Sequence, residues 1–315
     1  WVGGNIGQPL ISDVAQMKAG DLVVQELSSF QLEIWTQSPQ IAAVLNITPN
    51  HLDRHKTMAG YTEAKSSIVR FQSVNDSAIL CADDDGAMAL KPLINGRLRT
   101  FSMIQPVVDG AFLRDEQIWL RDQTGQETAV CPLEAIQLRG RHNIMNVLAA
   151  CTIADTAAVP VAAMRTAIAE FKGVEHRLEL VRTLKGVQYI NDSIATAPER
   201  ALAALAAFDE PLVLLAGGRD KKMNWEVWAQ TVTKRTKAVI LFGDLAELLE
   251  EKLAAVKDGQ TAVQRVNTLA EAVKTAAQQA TSGDIVLLSP GGTSYDAFKD
   301  FVERGELFRD LVRNL

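Results

Sequence analysis

The sequence predicts an α/β protein of two domains, each a parallel sheet with helices on its faces. Three observations lead to this prediction. The chain has 315 residues, which is too long for one ordinary core and close to two domains of ~150 residues. Short apolar runs alternate with helical stretches, as in a parallel sheet. Between residues 98 and 132 several short β-like pieces follow one another, which indicates a small antiparallel appendage.

Composition limits the classes of partner. Hydrophobic residues make up 47% and charged residues 22%, as in a typical globular protein. The net charge of −6 is unlike that of a nucleic-acid binder, so we expect no nucleic-acid partner. No apolar run approaches the ~20 residues that cross a bilayer, so we expect no membrane insertion. The three cysteines, Cys81, Cys131 and Cys151, are widely spaced and predict free thiols in a reducing compartment, the cytoplasm.

The first predicted domain covers residues 1–174 and carries a partial P-loop-type parallel sheet. Apolar runs predict strands over residues 21–26, 41–47 and 77–81. Helical spacing predicts helices over residues 60–72 and 162–171, and another that begins near residue 142.

The second predicted domain covers residues 175–315, where the strand–helix rhythm starts again. Strands are predicted over 187–190, 211–215, 238–242, 262–266 and 284–288. Helices are predicted over 197–208, 225–233, 245–257, 269–279 and 295–304. This alternation is typical of a Rossmann-like, doubly wound domain.

Polar clusters follow the first two predicted strands, where open α/β sheets bind ligands. Glu26 ends the first strand, and its carboxylate suits Mg²⁺, although ELSSFQLE could also be a helix start capped by Ser28 or Ser29. NHLDRH at 50–55 follows the second strand. His51 and its neighbours crowd one loop in a chain with four histidines, which favours a metal or phosphate site.

Three further clusters could bind a nucleotide. Asn143, in GRHN, lies at a helix start and could contact a nucleotide or cap the helix. Arg177, in EHRLE, could reach a phosphate with its planar fork or form an interdomain salt bridge. Asp192, in NDSIAT, follows a strand and could order Mg²⁺-bound water or a ribose.

The remaining clusters favour a carboxylate ligand. GGRDKK, which contains Lys221, has the wrong spacing for a phosphate loop, but its lysine could clamp a carboxylate. SPGGTSYDAFK at 289–299 follows the last strand and is predicted to open a helix, where amides and dipole attract an anion and Ser294 is an extra donor. On spacing alone, Lys65 would be a solvated charge on a helix.

Seven motifs in sequence order are similar to those of the Mur ligase family, most of all its glutamate-adding members. Together they span essentially the whole chain. They are GGNIG at 3–7, ELSSFQLE at 26–33, NHLDRH at 50–55, GRHN at 140–143, EHRLE at 175–179, NDSIAT at 191–196 and SPGGTSYDAFKDFVERG at 289–305.

This resemblance implies a cytoplasmic, monomeric, three-domain enzyme of peptidoglycan precursor synthesis. Its first domain would bind the UDP substrate, the central one ATP and the last one the amino acid. ATP would phosphorylate the carboxylate of UDP-N-acetylmuramoyl-alanine, and the amine of glutamate would then attack the acyl phosphate. Two Mg²⁺ ions would neutralise the negative charge that develops.

The resemblance also implies roles for individual residues. Glu26 and His51 would hold Mg²⁺, and Lys65, carbamylated by CO₂, would help to bind the second ion. The catalytic set is then Lys65, His51 and Lys221. The implied ATP contacts are Asn5, Asn143, Arg177 and Asp192. The implied glutamate pocket is Thr196, Lys221, Ser294, Tyr295 and Phe301.

Two departures from the family pattern leave alternatives open. The GxxxxGK[ST] loop is expected upstream of Gly3, as is the UDP-binding domain, so we expect the chain to begin inside a domain and to be inactive alone. Ile194 stands where the familiar NDSKAT pattern has lysine, which leaves open D- or L-glutamate, or another amino acid. The alternatives are a folylpolyglutamate-synthase-like or other Mur-ligase-like enzyme, and a non-catalytic fragment. The absence of a DNPR motif argues against the diaminopimelate-adding relative.

Overall fold

The computed structural model describes residues 1–5, 9–49, 52–256 and 261–315, with the backbone alone for residues 52 and 53. The described chain divides into two units. The first contains Trp1–Ile136 and His142–Glu170, and the second contains Gln137–Arg141 and Phe171–Leu315. The main division therefore follows Glu170, four residues before the boundary predicted from the sequence.

The first unit contains eight strands and six α-helices among the described residues. The strands are β1 (Val2–Gly4), β2 (Val24–Glu26), β3 (Ile41–Val44), β4 (Ser77–Cys81), β5 (Arg97–Ser102), β6 (Gly110–Arg114), β7 (Gln117–Arg121) and β8 (Glu127–Pro132). The helices are α1 (Ser29–Leu32), α2 (Leu52–His55), α3 (Met58–Arg70), α4 (Asp85–Met88), α5 (Arg141–Thr156) and α6 (Val161–Glu170).

The predicted antiparallel appendage is continuous with the parallel sheet. Strands β3 to β8 form one six-stranded sheet in sequence order, parallel from β3 to β6 and antiparallel from β6 to β8. The join lies at Gly110, where a Cβ would come within 1.9 Å of the Thr100 carbonyl oxygen. A glycine is therefore required for β6 to approach β5. Strands β1 and β2 form a separate parallel pair.

The core of the first unit spans both parts of this sheet. Ile79 of β4, Phe101 of β5 and Ile118 of β7 belong to one buried cluster with Leu148 of α5. Burying such side chains contributes about 1.5–3 kcal/mol each. Helix α5 therefore attaches to the parallel and antiparallel strands alike, which explains why the two parts fold as one layer.

The second unit contains six strands and five α-helices in the described residues. The strands are β9 (Glu179–Leu184), β10 (Val187–Asn191), β11 (Leu212–Gly217), β12 (Thr236–Phe242), β13 (Ala262–Arg265) and β14 (Ile285–Gly291). The helices are α7 (Pro198–Leu205), α8 (Glu226–Arg235), α9 (Ala246–Ala254), α10 (Leu269–Gln279) and α11 (Phe301–Arg313).

These strands form a sheet in the order β13-β12-β11-β14-β10-β9, in which β9 alone is antiparallel to its neighbour. Helices α7, α8 and α9 pack on one face, and α10 and α11 pack on the other. The predicted doubly wound fold is thus confirmed. Strands β10 and β11 are followed by α7 and α8 on one face, whereas β14, which lies between these two strands, is followed by α11 on the other face. The direction of the strand connections therefore reverses at β14, and doubly wound folds bind ligands at such a point. None of the helices in the described residues is long and apolar enough to cross a membrane.

The helix predicted over residues 295–304 is wrong in its position. Helix α11 begins at Phe301, because the Asp300 carboxylate accepts a hydrogen bond from the Glu303 N–H at 2.8 Å and caps the helix. Residues 292–300 therefore form a loop. Ser294 lies seven residues before the helix, so the expected anion site at the helix start is not formed by SPGGTSYDAFK. The other predicted elements are present, with ends shifted by up to three residues.

A buried ion-pair network ties the sheet of the first unit to α5. Arg99 of β5 is 1% exposed, and its guanidinium lies 2.9 Å from Asp109 Oδ1 and 2.7 Å from Asp155 Oδ2. Asp109 also pairs with Arg97, whose side chain is 34% exposed. Arg99 is therefore the buried member of the network, and Arg97 is its partly solvated counterpart.

We expect Arg99→Met to lower the free energy of unfolding of the first unit by about 3 kcal/mol, because it removes one partner of a buried pair. Arg97→Met is the matched control. It should cost about 1 kcal/mol or less, since its charge is partly in water and Asp109 keeps Arg99. Native-state hydrogen exchange of amides in β5 and α5 reports this unit by itself. Equal losses in the two variants would contradict the assignment.

Candidate functional site

Asn5 and Glu26 meet at the carboxyl ends of β1 and β2. Glu26 is the last residue of β2 and is exposed, and the Asn5 N–H donates a hydrogen bond to its carbonyl oxygen at 2.8 Å. A Cβ on Gly4 would come within 2.3 Å of the same oxygen. The glycine turn thus brings the Asn5 backbone against β2, beside a carboxylate of the kind that Mg²⁺ prefers.

Ser28, and not Ser29, caps the short helix that follows Glu26. The Gln31 N–H donates to Ser28 Oγ at 3.3 Å, and the Ser28 N–H donates to Gln31 Oε1 at 2.9 Å. This reciprocal capping box ends the strand and starts α1. Both readings of ELSSFQLE are therefore compatible, since capping uses Ser28 and leaves the Glu26 carboxylate outside the helix.

An aromatic cluster connects α1 with Lys65 of α3. The rings of Phe30 and His55 stack with centroids 5.4 Å apart, and Arg54 lies over Phe30. His55 also contacts Tyr61, and the Lys65 ammonium lies 5.4 Å from the centroid of the Tyr61 ring. The helices that carry these side chains are thus fixed next to the end of β2.

Lys65 is not the solvated surface charge that its spacing alone would predict. Its side chain is partly buried, and this burial lowers the pKa of the amine, while the negative charge of Glu26 raises it. A lowered pKa increases the fraction of neutral amine, which is the nucleophilic form. His51, the other predicted Mg²⁺ ligand of this region, lies outside the described residues.

Asn143 lies inside the first turn of α5. The helix begins at Arg141, so Asn143 is the third helical residue and is not the N-cap. The Asn146 amide donates to Asn143 Oδ1 at 3.1 Å, so the two side chains share a face as their spacing predicts. The capping interpretation is therefore wrong, and the nucleotide interpretation stays a prediction.

In the second unit, Asp192 is buried at the end of β10. The Ser289 hydroxyl donates to its Oδ2 at 2.8 Å, and the Leu178 N–H donates to its Oδ1 at 3.3 Å. Burial raises the pKa of Asp192 to about 7, although these hydrogen bonds and the charges of Arg177 and Arg200 lower it. The carboxyl group thus connects β10, β14 and the segment that carries Arg177.

Arg177 lies between two residues with left-handed backbone conformations. His176 has φ of 61° and Leu178 has φ of 46°, while the Arg177 side chain is exposed. His176 is buried, with Nδ1 3.0 Å from Asn191 Nδ2 and its ring edge-on to Phe301. Non-glycine residues in this region are strained. The surrounding contacts hold the strained turn, which turns Arg177 outward.

Four of the predicted glutamate residues, Thr196, Lys221, Ser294 and Tyr295, lie on loops at the carboxyl edge of this sheet, and the fifth, Phe301, is the first residue of α11. The Gly291 N–H donates to the Ala195 carbonyl at 2.9 Å, which joins the loop of Thr196 to the end of β14. Ser294 is 2% exposed, whereas Lys221 and Tyr295 are exposed to solvent. The structure therefore places a buried hydroxyl and exposed polar side chains along one edge.

Arg304 of α11 is a residue of this edge that the sequence analysis missed. It is completely buried and donates to Ser193 Oγ at 3.0 Å, to the Ser193 carbonyl at 2.8 Å and to the Gly292 carbonyl at 3.1 Å. Burial lowers its pKa to about 10, while Asp296 raises it, so the group stays charged at neutral pH. Its spacing to Phe308 and Val312, on the buried face of α11, is the signal that could have revealed it.

Comparison with known proteins follows the same division of the chain. Residues 3–154 match the family model of the Mur ligase middle domain, and residues 176–292 match that of the Mur ligase glutamate ligase domain. A UDP-N-acetylmuramoylalanine–D-glutamate ligase of Symbiobacterium thermophilum is 45% identical, and one of Clostridium tetani is 40% identical. Both alignments cover the whole chain and 69% and 68% of those relatives.

Solved structures share the fold at lower identity. The UDP-N-acetylmuramate–alanine ligase MurC of Thermotoga maritima is 17% identical with a TM-score of 0.66, over 99% of this chain and 75% of that one. The MurF ligase of the same organism, in complex with ADP, is 18% identical with a TM-score of 0.58, over 88% of this chain and 64% of that one.

The sequence is that of an ATP-dependent, amide-forming ligase. The chain belongs to the Mur ligase family, in the group of the UDP-N-acetylmuramoylalanine–D-glutamate ligases. Ligases of this family use ATP and Mg²⁺. The resemblance inferred from the seven motifs is thereby confirmed.

Asp192 should give the second unit a characteristic pH dependence. Its folded-state pKa of about 7 lies above the ordinary 3.8, so its contribution to stability is complete below about pH 4 and is lost as the pH rises to about 7. Relative to Asp192→Asn, the wild-type free energy of unfolding should fall by roughly 4 kcal/mol over that range and be flat above it. This free energy can be measured at each pH by urea unfolding, with the NMR signals of the Trp225 and Trp228 indoles as the probe of the second unit.

The matched control is Asp209→Asn, which changes an exposed carboxylate of the same unit. It should leave the pH profile of the wild type unchanged. A wild-type profile parallel to that of Asp192→Asn would show that Asp192 titrates normally.

Proposed function

We propose that this chain carries the ATP-handling and glutamate-handling parts of an enzyme that joins D-glutamate to UDP-N-acetylmuramoyl-alanine. The proposal rests on relatives of that name that match the whole chain at 40–45% identity. The observation that supports it in the structure is the position of two motif carboxylates, Glu26 at the carboxyl end of β2 and Asp192 at that of β10. The enzyme works as a cytoplasmic monomer on small-molecule substrates in peptidoglycan synthesis.

The reaction has two steps. A carboxylate oxygen of the UDP substrate attacks the γ-phosphorus of ATP, and ADP leaves with the electrons of the broken P–O bond. The glutamate amine then attacks the carbonyl carbon of the acyl phosphate, inorganic phosphate leaves, and the amine loses a proton to solvent. In the first step Asn5, Asn143, Arg177 and Asp192 contact ATP, and the exposed guanidinium of Arg177 is suited to a phosphate.

Two Mg²⁺ ions supply charge neutralisation in this reaction. Glu26, His51 and a carbamate on Lys65 would hold them. The carbamate forms when the neutral Lys65 amine attacks the carbon of CO₂ and releases its proton to solvent. Partial burial and the lowered pKa of Lys65 support this role, because they favour the neutral amine. The product is an oxygen-ligand anion, which suits Mg²⁺.

Glutamate binds at the edge of the second unit, to Thr196, Lys221, Ser294, Tyr295 and Phe301. Lys221 offers an exposed ammonium to a substrate carboxylate, and the Ser294 hydroxyl lies in the loop that follows β14. Ile194 is partly buried in the loop that precedes Thr196, and it removes the cation that the familiar motif has there. Lys221 then supplies the positive charge on this side of the pocket.

The stereochemistry of the amino acid is tested by phosphate release from ATP. We expect the full-length protein that carries this chain, given UDP-N-acetylmuramoyl-alanine, to release phosphate with D-glutamate and not with L-glutamate. Dependence on L-glutamate alone would mean that Ile194 changes the specificity of the pocket. No release with either enantiomer would refute the proposed reaction.

Carbamylation of Lys65 is tested in the same protein. We expect Lys65→Ala to lower the turnover at least about 100-fold, because an essential charge beside the phosphates is lost. Short carboxylates such as acetate should restore part of the turnover by replacing the carbamate oxygens. The matched control is Lys91→Ala, an exposed lysine of the same unit, which should keep full activity. An unaffected Lys65→Ala enzyme would exclude the role.

A further inference from the structure

We propose that Trp225 and Asp220 are positioning residues for Lys221, and that their contact sets the affinity for the amino-acid substrate. Both lie in the segment between β11 and α8. Asp220 directly precedes Lys221, and Trp225 follows it shortly before α8 begins. The proposal rests on the proposed function in one respect, the assignment of Lys221 to a glutamate carboxylate.

The Asp220 carboxylate accepts hydrogen bonds from other residues of the same loop. Its Oδ1 accepts hydrogen bonds from Trp225 Nε1 at 3.0 Å and from the Met223 N–H at 3.2 Å. Burial raises the pKa of Asp220, but the hydrogen bonds that it accepts, first of all that from Trp225, outweigh this effect and lower the pKa. The carboxylate therefore holds both the Met223 N–H and the Trp225 indole in the loop that carries Lys221.

Trp225 is the fixed point of this contact. Its side chain is 1% exposed and meets the ring of Trp228 edge-on, with centroids 5.5 Å apart. On the other side it packs against Gly291 at the end of β14, where a Cβ would lie 3.1 Å from the Trp225 ring. The indole N–H that holds Asp220 therefore belongs to a ring that packs between Trp228 of α8 and Gly291 at the end of β14.

The loop is also fixed on the other side of Lys221. The Arg219 N–H donates to the Thr293 carbonyl at 2.8 Å, and the Thr293 N–H donates to the Arg219 carbonyl at 3.0 Å. Thr293 precedes Ser294 in the chain. The backbone on both sides of Lys221 is thus attached, directly or through Trp225, to the segment that carries Ser294.

This arrangement matters because the lysine side chain itself is flexible. Its four-carbon stem is exposed, so the backbone alone decides which positions the ammonium can reach. A fixed starting point reduces the freedom lost when the ammonium meets a carboxylate. Loss of the Trp225–Asp220 hydrogen bond should therefore weaken amino-acid binding and leave ATP binding unchanged.

The chain offers a matched pair of variants for this test. Trp225→Phe removes an indole N–H that holds Asp220, whereas Trp228→Phe removes a buried indole N–H that has no hydrogen-bond partner in the described residues. In the full-length ligase we expect Trp225→Phe to raise KM for D-glutamate roughly five- to tenfold, with kcat and KM for ATP within about twofold. Trp228→Phe should leave all three within about twofold. Equal effects of the two variants, or none, would overturn the proposal.

Hydrogen exchange separates this proposal from the proposed function. The Met223 amide, which donates to Asp220 Oδ1, should exchange at least about tenfold faster in Trp225→Phe and in Asp220→Ala than in the wild type, and at the wild-type rate in Trp228→Phe. Unchanged exchange in Trp225→Phe would show that the Trp225–Asp220 hydrogen bond does not hold the loop, even in an active ligase. A wild-type protein with no glutamate-dependent turnover would refute the proposed function. The exchange rates would then still test whether this hydrogen bond holds the loop.

Discussion

The loops at the carboxyl edge of the sheet in the second unit depend on the hydrogen bonds of the buried Arg304 guanidinium. It is completely buried, and in the described structure its hydrogen bonds go to carbonyl and hydroxyl oxygens of Ser193 and Gly292. A buried charge is costly unless its donors are satisfied. Because those donors are fixed in a planar fork, satisfying them also fixes the distance between the two loops. The cost of burial therefore makes the loop geometry specific.

That geometry explains why glycines are concentrated at this edge. The loop after β14 must approach the end of β11 closely enough for Arg219 and Thr293 to pair. A Cβ on Gly217 would lie 1.9 Å from the Phe242 carbonyl oxygen, and one on Gly218 would lie 2.1 Å from that of Thr293. A side chain is thus excluded at Gly217 and at Gly218, where neighbouring backbone segments approach closely. The candidate side chains belong to residues that follow these close approaches in the chain. The point where the chain reverses at β14 is closed by backbone and lined by polar groups.

The sequence predicted most of the fold because burial on both faces of a parallel sheet gives nearly continuous apolar runs. Strand β9 was missed because it is an edge strand whose residues are partly exposed or exposed, so its pattern lacks such a run. The start of α11 was misplaced because residues 295–299 carry no helix breaker, while the capping Asp300 decides the boundary. Exposure at the sheet edge hides the pattern of β9, and a local capping contact outweighs the helical periodicity before α11.

The sequence could predict only those candidate site residues whose type and position in the chain already suggest contact with a ligand. Motifs singled out Glu26, Asp192 and Lys221 as candidates, because polar side chains at or shortly after strand ends are typical of ligand sites. They could not identify Arg304 or Trp225, which act through backbone oxygens and through a neighbouring carboxylate. Residues that position others leave no polar signal at the sheet edge. They are found when the partners of each buried polar atom are traced.

Burial has different chemical consequences for two cations, the partly buried Lys65 and the fully buried Arg304. It lowers the pKa of both Lys65 and Arg304. A primary amine that loses its proton becomes a nucleophile, so partial burial supports the proposed carbamylation of Lys65. The guanidinium, with a pKa still about 10, keeps its charge and all its donors at neutral pH. Desolvation therefore increases the neutral, nucleophilic fraction of the lysine amine in the first unit, whereas the arginine of the second unit stays a charged structural group.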